Sequence, residues 1–140
     1  MTEEKTIATY VDACLLIVAF RDEHHLNEQA RNILKDRRRS FLVSDALWLE
    51  LLPKAVYNKR AREVEFYERF FARARRLPTT GAVIQRACAL AARYGLAAMD
   101  AVHIAHAVEA GADEFISAES LSKPMFRVLD VPMLSIADEE

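Results

Sequence analysis

The stretch Ile7-Ala-Thr-Tyr-Val-Asp-Ala-Cys-Leu-Leu-Ile-Val-Ala-Phe20 decides the fold. Ile7 to Val11 is a short β-branched and aromatic run and reads as a buried strand, while Asp12 to Phe20 reads as a buried helix. One acidic residue therefore ends a strand and opens a helix. No glycine-rich phosphate loop stands at that turn, where Asp12-Ala13-Cys14 is found instead. This disfavours a doubly wound small-ligand or signalling domain that cradles phosphate in backbone amides.

Outward from this unit the alternation continues. Leu26, Ala30, Ile33 and Leu34 are spaced for a helix over Leu26 to Asp36, and Phe41-Leu42-Val43 is a second strand. Ser44-Asp45 is a natural N-cap for a helix through Trp48 and Glu50, which Pro53 is expected to end or kink. Ala61 to Arg76 is the clearest amphipathic segment: Val64, Tyr67, Phe71 and Ala74 share one face, and Arg62, Arg69, Arg73 and Arg76 gather within roughly 60° on the other. Thr79 or Thr80 caps a helix to Tyr94, which Gly95 stops, and another helix runs from Ala98 or Met99 to Ala110 before Gly111. Phe115-Ile116-Ser117 is a third strand, and Val128 to Leu129 or Met133 to Ile136 a last one. Short, continuously apolar strands alternating with helices predict a doubly wound α/β domain, its parallel sheet covered on both faces.

Residues 1–140 are expected to form a single domain, because the chain is too short for two independent cores. With 52% apolar and 29% charged residues, and only 3 Gly and 4 Pro, a disordered tail and a collagen-like fibre are excluded. A net charge of −2 means that a nucleic-acid partner must be met by a local basic patch. Cys14 and Cys88 lie in apolar surroundings and read as small buried thiols. His24, His25 and His106 lack zinc-site spacing. The N-terminus has no basic region leading into an apolar run, and the longest apolar run, Ala13 to Phe20, is far short of a membrane span. The expectation is a cytoplasmic protein with no membrane partner.

In a doubly wound sheet, ligands bind beyond the carboxyl ends of the strands, so acids there carry weight. Asp12 follows the first strand and is either a helix N-cap or a ligand. Glu50 sits among Leu47, Leu49, Leu51 and Leu52, where an ionised group needs a cation; Lys54 one turn on or a metal ion can supply it. Asp100 opens an otherwise apolar helix, favoured there by the helix dipole, with His103 beside it as a candidate hydrogen-bond donor. Glu119 follows the third strand by two residues, whereas Asp113 precedes it and is expected at the far end. Converging carboxylates repel, and a hard divalent cation such as Mg²⁺ or Mn²⁺ resolves that repulsion.

Four motifs, Tyr-Val-Asp-Ala-Cys-Leu-Leu at 10–16, Ser-Asp-Ala-Leu-Trp-Leu-Glu-Leu at 44–51, Met-Asp-Ala-Val-His-Ile-Ala-His-Ala at 99–107 and Gly-Ala-Asp-Glu-Phe-Ile-Ser-Ala-Glu at 111–119, resemble those of PIN-domain nucleases in order and spacing. The resemblance covers nearly the whole chain. It implies a Rossmann-like three-layer α/β/α domain, Mg²⁺ or Mn²⁺ as cofactor, hydrolysis of single-stranded or structured RNA, and the role of toxin in a toxin–antitoxin pair. Asp12, Glu50, Asp100 and Glu119 fall at the family's catalytic, metal-binding acids, with Ser44, Ser117 and His103 as supporting residues. Two positions depart from the pattern: Cys14 stands where Asn or Ser is frequent, and Glu119 where Asp is usual.

The implied reaction is metal-assisted phosphodiester hydrolysis, with RNA phosphates held by Arg62, Arg69, Arg73 and Arg76 or by the run Lys35, Arg37, Arg38 and Arg39. The same arginine stripe is equally readable as a solvated helix face laced by pairs such as Glu65 with Arg69. Expected partners are RNA and an antitoxin protein, with a second copy of the chain as a further candidate. Cys14 and Glu119 motivate the alternative of a catalytically weak or inactive PIN-like domain that binds RNA or docks a protein.

Overall fold

The computed structural model describes residues 6–137. Five parallel strands, β1 (Ile7–Val11), β2 (Arg39–Ser44), β3 (Arg75–Leu77), β4 (Glu114–Ser117) and β5 (Met133–Ser135), form one sheet in the order β3-β2-β1-β4-β5. The helices are α1 (Ala13–Phe20), α2 (Asn27–Lys35), α3 (Asp45–Tyr57), α4 (Ala61–Ala72), α5 (Gly81–Tyr94) and α6 (Ala98–Glu109). Successive strand residues point to opposite faces, so the apolar runs feed two cores. Val11, Phe41, Val43 and Ile116 pack with α1 to α4, and Tyr10, Leu42, Leu77 and Phe115 pack with α5 and α6. This is the expected three-layer α/β/α arrangement with a parallel sheet.

Several local expectations are corrected. The amphipathic helix stops at Ala72, and Arg75–Leu77 is a strand instead, paired with β2 through Leu42↔Arg75, Val43↔Arg76 and Ser44↔Leu77. Pro78 disfavours helical backbone at Leu77, and pairing with β2 buries Leu77 in the second core. Pro53 does not end α3, which continues to Tyr57. The carbonyl that loses its donor to Pro53 belongs to Leu49, an exposed residue where water can replace it. Cys88 is exposed on α5, and Cys14 is half-buried. The last strand takes the second of the two stretches considered.

The topology also fixes where helices begin. α1 and α3 leave the carboxyl ends of β1 and β2, and α6 begins on that side because it returns to the amino end of β4. Asp12 caps α1 by accepting from the Leu15 N–H at 3.0 Å, and Ser44 caps α3 by accepting from the Leu47 N–H at 3.0 Å. Three helix N-termini, each with unpaired amides and a positive dipole end, therefore share one edge of the sheet. Among the described residues, no helix is long and apolar enough to cross a membrane.

Candidate active site

The edge where α1, α3 and α6 begin also carries the four candidate acids. Asp12 is buried between β1 and α1. Burial disfavours its ionised form and pushes its pKa up to about 6, with Glu119 adding to the rise; the Ser117 hydroxyl, the Leu15 N–H and His103 act in the opposite direction. Asp100, in the first turn of α6, is also shifted upwards, first by burial and further by Glu50, against the pull of His103 and Lys123. Glu119 stands beyond β4 with its Oε1 4.0 Å from Lys123 Nζ, and its backbone N–H donates to Ser117 Oγ at 3.0 Å. Asp12 and Glu119 both act on the Cys14 thiol, which desolvation above all raises to about 12, so the thiol stays neutral.

Glu50 differs from its sequence reading. Its side chain is 38% exposed, not enclosed by leucines, and Lys54 forms no ion pair with it among the described residues. Its partner is His103, whose Nε2 lies 2.8 Å from Glu50 Oε1. His103 was expected to serve Asp100; it is instead bonded to Glu50 on one side and to Tyr10 on the other, at 2.8 Å from Nδ1. Tyr10, whose hydroxyl is also 2.7 Å from Ser44 Oγ, is the member of the site that sequence reasoning missed. Its signal was a phenol in the middle of a buried strand, where the hydroxyl must find partners.

The basic residues are more scattered than the helical reading implied. Arg62 and Arg69 are exposed on α4, Arg69 with Glu65 at 3.2 Å. Arg73 lies 4.9 Å from the Phe70 ring centre, and Arg76, now in β3, is 4.6 Å from that of Trp48 and 2.7 Å from Asp45 Oδ1. The four arginines thus do not form one stripe. The run at 35–39 lies at the amino end of the sheet, away from the candidate acids, with Arg38 and Arg39 bound to Asp36 and Arg39 also to Glu114. Asp113 is at that end too, accepting from the Ala8 N–H at 2.8 Å. Closer to the candidate acids, a cleft of about 170 Å³ between α1, α3 and α4 has Glu50 on its wall together with Arg21, Lys54 and Arg60.

As the side chains stand, no three His, Cys, Asp or Glu groups among the described residues are gathered closely enough to hold one metal ion. The chemistry of the donors nevertheless suits a hard divalent cation. All four are carboxylates, and two of them, Asp12 and Asp100, carry pKa values raised first by burial and further by a neighbouring carboxylate. A doubly charged ion drawing Asp12, Asp100, Glu50 and Glu119 together would offset both the burial and the mutual repulsion of these carboxylates.

Comparison with known proteins agrees with this architecture. The model of the PIN domain matches residues 9–120. No curated protein matches the sequence. Among solved structures, VapBC2 from Rickettsia felis, bound to a DNA fragment from its promoter, is similar with a TM-score of 0.71 and 10% identity, covering 91% of this chain and 97% of that one. A toxin–antitoxin complex from Klebsiella pneumoniae gives a TM-score of 0.68 and 19% identity over 88% and 94% of the two chains. Mycobacterium tuberculosis VapC20, a toxin that cleaves the sarcin–ricin loop, gives 0.63 and 15% over 76% and 86%.

Proposed function

The chain belongs to the PIN-domain family, and from that premise we propose that it is a divalent-metal-dependent endoribonuclease, the toxin of a toxin–antitoxin pair acting in the cytoplasm. The observation that carries the reading is the set of acids at the carboxyl edge, above all Asp12, a carboxylate buried where its own charge is disfavoured. Mg²⁺ or Mn²⁺ bound there would activate water and stabilise the leaving oxygen of a phosphodiester. Asp12 and Asp100 would be the principal holders of the ion, and Glu50 and Glu119 would complete the set or orient water. Ser117 steadies Asp12 and, through its bond from the Glu119 N–H, the turn that presents Glu119.

Arg21, Lys54 and Arg60, on the cleft that includes Glu50, would hold phosphates of an RNA strand crossing the site, and Arg62, which lines a neighbouring cleft with Arg21 and Arg60, would extend that surface. The family and the toxin–antitoxin neighbours support an antitoxin partner. The second reading, a PIN domain without catalysis, draws on Cys14, whose neutral thiol stands beside Asp12 and Glu119 and offers poorer hydrogen bonds than the Asn or Ser implied by the resemblance.

Mn²⁺ decides between them. A ligand that binds only the folded chain stabilises it by about 1.4 kcal/mol at ten times its dissociation constant. Millimolar Mn²⁺ is expected to raise the melting temperature of the wild type, to leave Asp12→Asn and Asp100→Asn unmoved, and to support cleavage of RNA by the wild type alone. An equal rise in all three proteins removes the metal site. A rise confined to the wild type without cleavage of any RNA leaves the non-catalytic reading.

A further inference from the structure

Tyr10 has no solvent exposure, and its ring lies between Phe115, with centroids 5.4 Å apart, and His106, at 6.2 Å. Apolar packing accounts for the ring but not for the hydroxyl. The hydroxyl belongs to a single file of four side chains drawn from different elements. Ser44 Oγ is 2.7 Å from Tyr10 Oη, Tyr10 Oη is 2.8 Å from His103 Nδ1, and His103 Nε2 is 2.8 Å from Glu50 Oε1. Ser44, Tyr10 and His103 are at most 2% exposed, whereas Glu50 stands at the open end.

Valence gives the file a direction. Ser44 Oγ accepts from the Leu47 N–H, and among the described residues Tyr10 Oη is the acceptor available to its proton. A Tyr10 oxygen that accepts from Ser44 turns its own proton to His103 Nδ1. That nitrogen must then be bare, so Nε2 carries the imidazole proton and donates it to the Glu50 carboxylate. The opposite direction strands the Ser44 proton in the interior with no acceptor, and an unmade buried hydrogen bond costs more than a made one returns. Burial raises the Tyr10 pKa well above its ordinary value, so its oxygen keeps the proton the file requires.

We propose that Tyr10 is a positioning residue for Glu50, acting through His103. The Ser44–Tyr10 pair fixes the imidazole in its Nε2–H form, and the imidazole pins one oxygen of a glutamate that would otherwise move among rotamers on an exposed helix face. The other oxygen has no partner in the described hydrogen bonds and is left for the acid cluster. Such an arrangement, in which one group orients another that meets the substrate or ion, conserves reacting geometry without touching it. The proposal rests on the reading of Glu50 as a working acid of the site.

The test begins on the metal-free protein. Nitrogen-15 NMR of the wild type is expected to find His103 protonated at Nε2 and bare at Nδ1, and carbon-13 methylene relaxation to find the Glu50 side chain ordered. Tyr10→Phe keeps the ring and removes the hydroxyl; it should mix the two tautomers and lower the Glu50 side-chain order parameter. With Mn²⁺ and RNA, the same change should lower kcat about tenfold with KM little altered, and should cost less than twofold in a Glu50→Gln background. A purely structural role for Tyr10 would instead give the same loss in both backgrounds. A wild-type His103 protonated at Nδ1, or a Glu50 equally ordered in Tyr10→Phe, overturns the proposal. Both measurements stand without activity, so a wild type that cleaves no RNA defeats the functional reading and leaves the positioning role to be decided by the two NMR results.

Discussion

Asp36 and Asp12 are the same side chain at opposite ends of one sheet. At the amino end, the Arg38 guanidinium and backbone N–H both bond Asp36 and hold its pKa down to about 2, and Arg39 adds a further pair. Nearby, Glu114 is buried, yet it accepts from Arg39 Nε at 2.7 Å and from Thr9 Oγ1 at 2.6 Å. At the carboxyl end, burial above all pushes Asp12 up to about 6, with Glu119 adding to the rise, and the lysine beside Glu119 is 4.0 Å from that acid. The amino-end acids are complete within the folded chain and tie β1, β2 and β4 together. The carboxyl-end acids are left short of positive charge, and the fold bears that cost at the place where three helices begin. An acid that the chain does not satisfy itself is the better candidate for an external partner.

Replacing acids at the two ends should therefore fail in different ways. The largest effect is expected from Asp12→Asn, which should lower metal-dependent RNA cleavage at least a hundredfold. Asparagine caps helices as well as aspartate does, and it removes a disfavoured buried charge, so the metal-free variant should melt at or above the wild type. Glu119→Gln should cost about tenfold in single-turnover cleavage at saturating Mn²⁺, while Asp113→Asn, bonded to β1 at the far end, should change the rate less than twofold. A damaging Asp113→Asn with a silent Glu119→Gln would break the comparison at its root.

Glu114→Gln tests the other end. It leaves Arg39 with Asp36 but takes the charge from a buried ion pair, a loss of about 2 kcal/mol and several degrees in melting temperature. Cleavage per folded molecule should stay at the wild-type level. Calorimetry together with active-site titration separates the two quantities, and a rate loss without destabilisation would move Glu114 into the working site.

Much of this division was legible in the sequence, because strand-then-acid is a local pattern. Asp12 follows Val11 and Glu119 follows Ser117 directly enough that the parallel topology puts both at the carboxyl edge. What was not legible depended on partners distant in sequence. β3 was hidden because Arg75–Leu77 has no strand periodicity of its own and takes its conformation from the open side of β2. The arginine stripe failed with it, since Arg76 leaves the helix and turns to Trp48 and Asp45. The run at 35–39 looked like a phosphate site although Asp36 stands inside it and takes Arg38 and Arg39; the partner that was hidden is Glu114, which reaches Arg39 from 75 residues away. The link from His103 to Glu50 spans 53 residues and cannot be read from helical spacing, which pointed to Asp100.

The pH dependence of stability is the most direct comparison of the two ends, because the two aspartates titrate in adjacent windows with opposite sign. Asp12 has a raised pKa, so between about pH 6 and pH 4 the metal-free folded chain holds a proton that the unfolded chain has released; its contribution to stability grows as the pH falls through that range. Asp36 has a depressed pKa, so its contribution is complete above about pH 4 and is lost as the pH falls towards 2. His106 complicates the first window. Burial lowers its pKa to about 4, so its contribution is complete above about pH 6.5 and fades as the pH falls towards 4, against the trend of Asp12. Subtraction removes it, because Asp12→Asn retains His106. The wild-type stability minus that of Asp12→Asn should rise by on the order of 2 kcal/mol as the pH is taken from 6.5 to 4 without metal. The corresponding difference for Asp36→Asn should be flat across that range and shrink only below pH 4. If the Asp12 difference is flat between pH 6.5 and 4, its carboxylate already has its charge met within the chain, and the contrast between the two ends is lost; if it rises without metal and flattens when Mn²⁺ is present, the ion is supplying the charge that the carboxyl end lacks.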